Sequence, residues 1–129
     1  MTIEIEAAYV QVTKEKWGNL IIWSVDDNLE AEKYLMLQAA YEYSEQDIRL
    51  GMNDIYIECC GQGWSWYGHI EAFRLSRRQV EVQLSPTAAE HMHNDGQVLA
   101  HFTVPDDEYQ ALRSTLRDVF NGRAYYSEA

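Results

Sequence analysis

Over most of the chain apolar and polar residues alternate with a period of two, and near the end the spacing becomes helical. Gln79 to Leu84 is the clearest strand, with Val80, Val82 and Leu84 on one face and Gln79, Glu81 and Gln83 on the other. Asp54 to Cys60 repeats the pattern, setting Ile55, Ile57 and Cys59 against Asp54, Tyr56 and Glu58. Ile3 to Val12, Leu20 to Val25, Trp66 to Leu75 and Gln97 to Thr103 also read as strands. Tyr34 to Tyr43 fits either period, and its aromatic and leucine content favours a strand. Turns are expected at Trp17-Gly18-Asn19, Gly61-Gln62-Gly63, Ser76-Arg77-Arg78 and Asn94-Asp95-Gly96.

Helix signals are fewer. Ser44 with Asp47 three residues on has capping-box spacing and predicts one short turn of helix, ended by Gly51. Ser85-Pro86 predicts a capped helix with proline in its first turn, running to His91. Tyr109, Leu112, Leu116, Val119 and Phe120 recur at helical spacing, with Asp106, Asp107 and Glu108 at the positive end and Gly122 as the stop. The expected class is α+β: an antiparallel meander with a C-terminal helix packed on one face, in one domain spanning residues 1–129.

Charge narrows the partners. Ten basic against 21 acidic residues give a net charge of −11. Nucleic acid and anionic membrane surfaces are therefore poor partners, and a basic protein is a good one. Acidic charge also serves solubility alone. It is densest from Asp26 to Glu58, where nine carboxylates face only Lys33 and Arg49. No apolar run approaches the roughly 18 residues of a membrane span, and the alternating, acidic start lacks the pattern of a signal peptide. Cys59 and Cys60 are neighbours, a geometry that strains a disulfide, so reduced thiols in a cytoplasmic protein are expected.

No catalytic, metal or cofactor motif emerges. His91 and His93 splay about 200° apart on a helix, and His101 has no ligand-like spacing to them. Gly61-Gln62-Gly63-Trp64-Ser65-Trp66 has Trp66 where a dinucleotide loop needs its third glycine. Gly63-Trp64-Ser65-Trp66-Tyr67 lacks the last glycine of a hydrolase elbow. Asp54 and Glu58, about 13 Å apart along one strand, are too distant for glycosidase pairing. A nucleophile pair of Cys59 or Cys60 with His69 has no supporting motif.

What stands out is aromatic. Trp64, Trp66 and Tyr67 follow a glycine-rich turn beside the carboxylates of the preceding strand, and aromatics beside acids receive arginine and lysine. The candidate partner-binding residues are Asp47, Asp54, Tyr56, Glu58, Gln62, Trp64, Trp66 and Tyr67. The competing reading is a core role for some of these aromatics.

Tyr34-Leu35-Met36-Leu37-Gln38, Glu45-Gln46-Asp47, Leu50-Gly51-Met52, Ile55-Tyr56-Ile57-Glu58, Gln62, Ser65 and Tyr67-Gly68-His69-Ile70 together resemble the immunity protein 10 family of bacterial polymorphic-toxin systems. The resemblance runs from about Tyr34 to Leu84 and less clearly to the C-terminal helix, and the first 30 residues add nothing to it. Cys59-Cys60-Gly61 stands where more polar residues are expected. It implies a cytoplasmic protein that is no enzyme, binds a cognate toxin domain and blocks it; the charge adds that the toxin is basic. The alternative is a small-molecule or regulatory module with an aromatic pocket between sheet and helix. Edge strands of an open sheet also offer a route to a homodimer.

Overall fold

A computed structural model describes residues 2–26, 33–51, 53–59 and 65–129, with residue 66 described in its backbone only. In place of a single meander, the strands among the described residues form two five-stranded sheets. The first contains β1 (Ile3–Glu6), β7 (Ile70–Ser76), β8 (Gln79–Leu84), β9 (Gln97–His101) and β10 (Tyr126–Glu128), in the order β1-β9-β8-β7-β10. The second is an antiparallel run of β2 (Tyr9–Lys14), β3 (Gly18–Ser24), β4 (Tyr34–Ala40), β5 (Tyr56–Cys59) and β6 (Ser65–Tyr67) in chain order. The first sheet is mixed, because β1 pairs with β9 and β10 with β7 in parallel.

The chain changes sheet twice, each time inside a stretch whose alternation reads as one strand. At Ala7 the backbone N–H still donates to the His101 carbonyl (2.8 Å), whereas Tyr9 already pairs with Ser24. At Gly68-His69 both residues adopt left-handed φ values of 82° and 66°. Gly68 N–H closes the second sheet on the Ile55 carbonyl, and the His69 carbonyl accepts from Ser85 N–H in the first, both at 2.7 Å. A non-glycine residue at positive φ is uncommon, although histidine is among the types enriched there.

The two sheets share one core. Ile21 and Trp23 of β3, Leu35 and Leu37 of β4, and Ile57 of β5 lie in the same buried cluster as Phe73, Val80, Val82 and Val98 of the first sheet. The Trp23 and Phe73 rings meet across the gap at 6.2 Å between centroids. Each such fully buried side chain stabilises the fold by about 1.5–3 kcal/mol.

Among the described residues three helices complete the fold: α1 (Glu45–Arg49), α2 (Pro86–Met92) and α3 (Asp106–Val119). Ser44 caps α1 in a full capping box with Asp47, and Ser85 caps α2 with Pro86 in its first turn. In α3 Tyr109, Leu112, Leu116 and Val119 are buried, as their spacing predicts, and the acidic triplet occupies the first turn. This helix touches both sheets. Its end places Phe120 at 4.7 Å from Phe73 and parallel to Tyr126 at 5.0 Å, and Asp118 pairs with Lys14 of β2 at 3.9 Å.

Candidate functional site

The second sheet turns one face to the core, and the other carries the candidate residues. Strand parity decides which side chains these are. Leu35, Leu37 and Ala39 of β4 and Ile57 and Cys59 of β5 join the core. The intervening Met36, Gln38, Tyr56 and Glu58 are half-buried on the outer face. Register aligns them in rows across the sheet. Gln38, Tyr56 and Tyr67 form one row, and Met36, Glu58 and Ser65 form the next.

Glu58 is held between two phenols. Its carboxylate accepts hydrogen bonds from the Tyr34 hydroxyl and, at 2.5 Å, from the Tyr56 hydroxyl. Burial, and then the hydrogen bond to Glu58, raise the Tyr56 pKa and keep this phenol a donor. The Tyr56 and Tyr67 rings sit 5.2 Å apart in a tilted pair. These contacts fix a negative group on a tyrosine-rich surface, a preorganised arrangement for charge-assisted recognition.

Beside this clamp lies an open pocket of about 160 Å³, lined by Trp17, Gln38, Ala40, Tyr43, Asp47, Asp54, Tyr56 and Tyr67. Four predicted residues, Asp47, Asp54, Tyr56 and Tyr67, thus meet in one cavity. Asp47 comes from α1, where its backbone N–H donates to the capping Ser44 hydroxyl at 3.0 Å and its carboxylate accepts from Ser44 N–H at 3.2 Å. Asp54 is fixed more tightly. Its Oδ1 accepts from Ile55 N–H and lies against the Arg123 guanidinium, each at 2.7 Å. Tyr43 donates to the Asp54 carbonyl at 3.2 Å, and burial raises its pKa. Glu58 lies one row away and does not line the cavity.

Trp66 pairs through its backbone with Ile57. Gln62 and Trp64 lie outside the described residues, as do Cys60 and three acids of the dense stretch, Asp27, Glu30 and Glu32. Sequence reasoning missed three contributors. Trp17 reads there as part of a turn, Tyr43 as the end of a strand, and Arg123 as a residue beyond the last helix. A large aromatic next to a turn glycine was the available signal for Trp17.

Other chemistry has little support in the geometry. Cys59 is 1% exposed within the core, where a substrate does not reach its thiol. Among the described residues, no group of three His, Cys, Asp or Glu side chains is placed to hold a metal ion, and no helix is long and apolar enough to cross a membrane. The cavity between the second sheet and α3 is about 240 Å³ and is lined by Val10, Val12, Val104, Glu108 and Ala111, without an aromatic ring. Both cavities fall below the roughly 300–1,000 Å³ of ordinary small-molecule sites, whereas an open depression of about 500 Å³ beside Ala7, Arg78 and His101 falls within that range.

Comparison with known proteins adds one match. The family model described as immunity protein 10 matches residues 4–110, and so includes the first strands, which carry none of the resemblance in the sequence. No curated protein and no solved structure matches the chain.

Proposed function

Because the chain belongs to the immunity protein 10 family, we propose that it binds one cognate bacterial toxin domain and neutralises it by occlusion. The family match over residues 4–110 carries this reading. The contact surface is the outer face of the second sheet with α1, namely Asp47, Asp54, Tyr56, Glu58 and Tyr67; Gln62, Trp64 and Trp66 join the proposed set on the strength of the sequence alone. Tyrosines supply large contact area at low entropic cost, and the fixed carboxylates give register and steering. A basic toxin, such as a nuclease, matches a chain of net charge −11. The protein acts stoichiometrically in the cytoplasm and performs no catalysis of its own.

The test is co-expression with the toxic C-terminal domain encoded by the neighbouring gene, together with the affinity of the purified pair. The wild-type chain restores growth and binds the domain. Asp54→Lys combined with Glu58→Lys, checked for folding by circular dichroism, weakens binding by at least tenfold. Full protection by the double variant would rule out this face.

A further inference from the structure

The pocket beside Asp47 and Asp54 has a composition that selects one kind of occupant. Four aromatic side chains, Trp17, Tyr43, Tyr56 and Tyr67, and two carboxylates converge on a space of about 160 Å³. That is several times the roughly 30 Å³ share of a water molecule, and too little for a drug-sized ligand. It matches the head of one long side chain.

We propose that this pocket receives a single arginine of the toxin and is the anchor of the complex. This rests on the toxin-binding reading above and extends it to the chemistry of the contact. A guanidinium is flat, weakly hydrated and forked, so it stacks on ring faces while its N–H groups meet carboxylates; an ammonium is compact and strongly hydrated. The chain uses both halves of this chemistry internally. Arg77 lies 4.6 Å above the Tyr109 ring, and Arg123 reaches Asp54 at 2.7 Å.

The surroundings have the anatomy of a hot spot. Trp17 is 46% and Tyr67 37% exposed, so ring surface remains for a partner to cover. Tyr41 and Ile48, adjacent in the chain to lining residues, and Leu50, the C-cap of α1, are 59%, 54% and 62% exposed. No residue of α1 is buried. Exposed apolar side chains around a polar and aromatic centre are what a partner needs to exclude water from a charged contact.

The experiment measures the affinity of the purified toxin domain for wild type, Trp17→Ala and Asp47→Asn, with Glu71→Gln on β7 as the control. The proposal expects losses of at least about 30-fold for Trp17→Ala and about tenfold for Asp47→Asn, and a change within about twofold for the control. Melting temperatures report whether each variant is folded. An arginine-to-lysine scan of the toxin then finds one position whose loss disappears in the Trp17→Ala background, as a double-mutant cycle requires for direct contact. Wild-type affinity in Trp17→Ala and Asp47→Asn, or no coupled toxin arginine, overturns the pocket and leaves the immunity reading standing. A toxin that fails to bind the wild-type chain overturns both.

Discussion

The Arg123 guanidinium lies 2.7 Å from Asp54 Oδ1, so the segment after α3 is tied to the rim of the tyrosine-lined pocket. Arg123 falls beyond the residues that match the family model, yet it sets the charge of the proposed contact surface. Both partners are about one-third exposed, so the pair itself adds little stability. Arg123→Gln should cost less than about 1 kcal/mol in urea unfolding. It also removes the positive charge beside Asp54. Association with a basic toxin should therefore quicken roughly two- to threefold at low salt, and the gain should fade as salt rises. Stopped-flow binding at two ionic strengths checks both parts.

The C-terminal strand is held by a second charge cluster. Glu128 accepts from Arg117 at 2.8 and 2.9 Å, from Arg113 at 3.2 Å and from the Tyr126 hydroxyl at 2.8 Å. The Arg117 hydrogen bond, ahead of those from its other neighbours, holds the Glu128 carboxyl down at about 2, from an ordinary 4.5. A folded-state pKa below the unfolded one stabilises above the unfolded value, and this contribution disappears as pH falls towards the folded value. Glu128→Gln should thus lower stability by about 1 kcal/mol at pH 7, a magnitude limited by the exposure of the two arginines. Only below pH 2, once Glu128 is protonated in the folded state as well, should the variant and the wild type unfold at the same denaturant concentration.

Gly18 tests the second sheet from within. A Cβ at this position would stand 2.0 Å from the Ala39 carbonyl oxygen and 2.7 Å from Ala40 Cα, both backbone atoms that cannot swing aside. Gly18→Ala should force β3 and β4 apart at their paired ends and cost about 3 kcal/mol, at the upper end of overpacking penalties. A shifted urea midpoint with an unchanged slope is the expected record.

Cys59 gives a probe of the core. At 1% exposure its thiol should resist a maleimide in the folded protein. In a Cys60→Ala variant, labelling should occur only through unfolding and should accelerate with denaturant. Rapid native labelling would revive the reading of Cys59 as an accessible nucleophile.

The elements most legible in the sequence are those whose signal is local. Gln79–Leu84 alternates in burial as its residues alternate in type. Ser85-Pro86 marks α2 through groups within a single turn, and the apolar stripe of α3 falls on buried positions. What stayed hidden is relational. A period of two says that a residue faces a core without saying in which sheet, so the crossings at Ala7 and Gly68-His69 pass unseen within apparent single strands. β10 has three residues, too few to show a period, and its place depends on Glu128 finding arginines of α3. The candidate site was half legible for the same reason. Alternation put Tyr56 and Glu58 on one face, whereas Trp17, Tyr43 and Arg123 come from three distant segments that only the fold brings to Asp54.

Hydrogen exchange of the chain with and without the toxin domain tests the central claim most directly. α1 buries none of its side chains and β6 is an edge strand, so both should exchange readily in the free protein and report a partner sensitively. Binding at the outer face of the second sheet should slow exchange across residues 45–50 and 65–67 and leave α2 and the Arg77-Arg78 turn unchanged. Slowing confined to α2, that turn or α3, with α1 and β6 unaltered, would contradict the account.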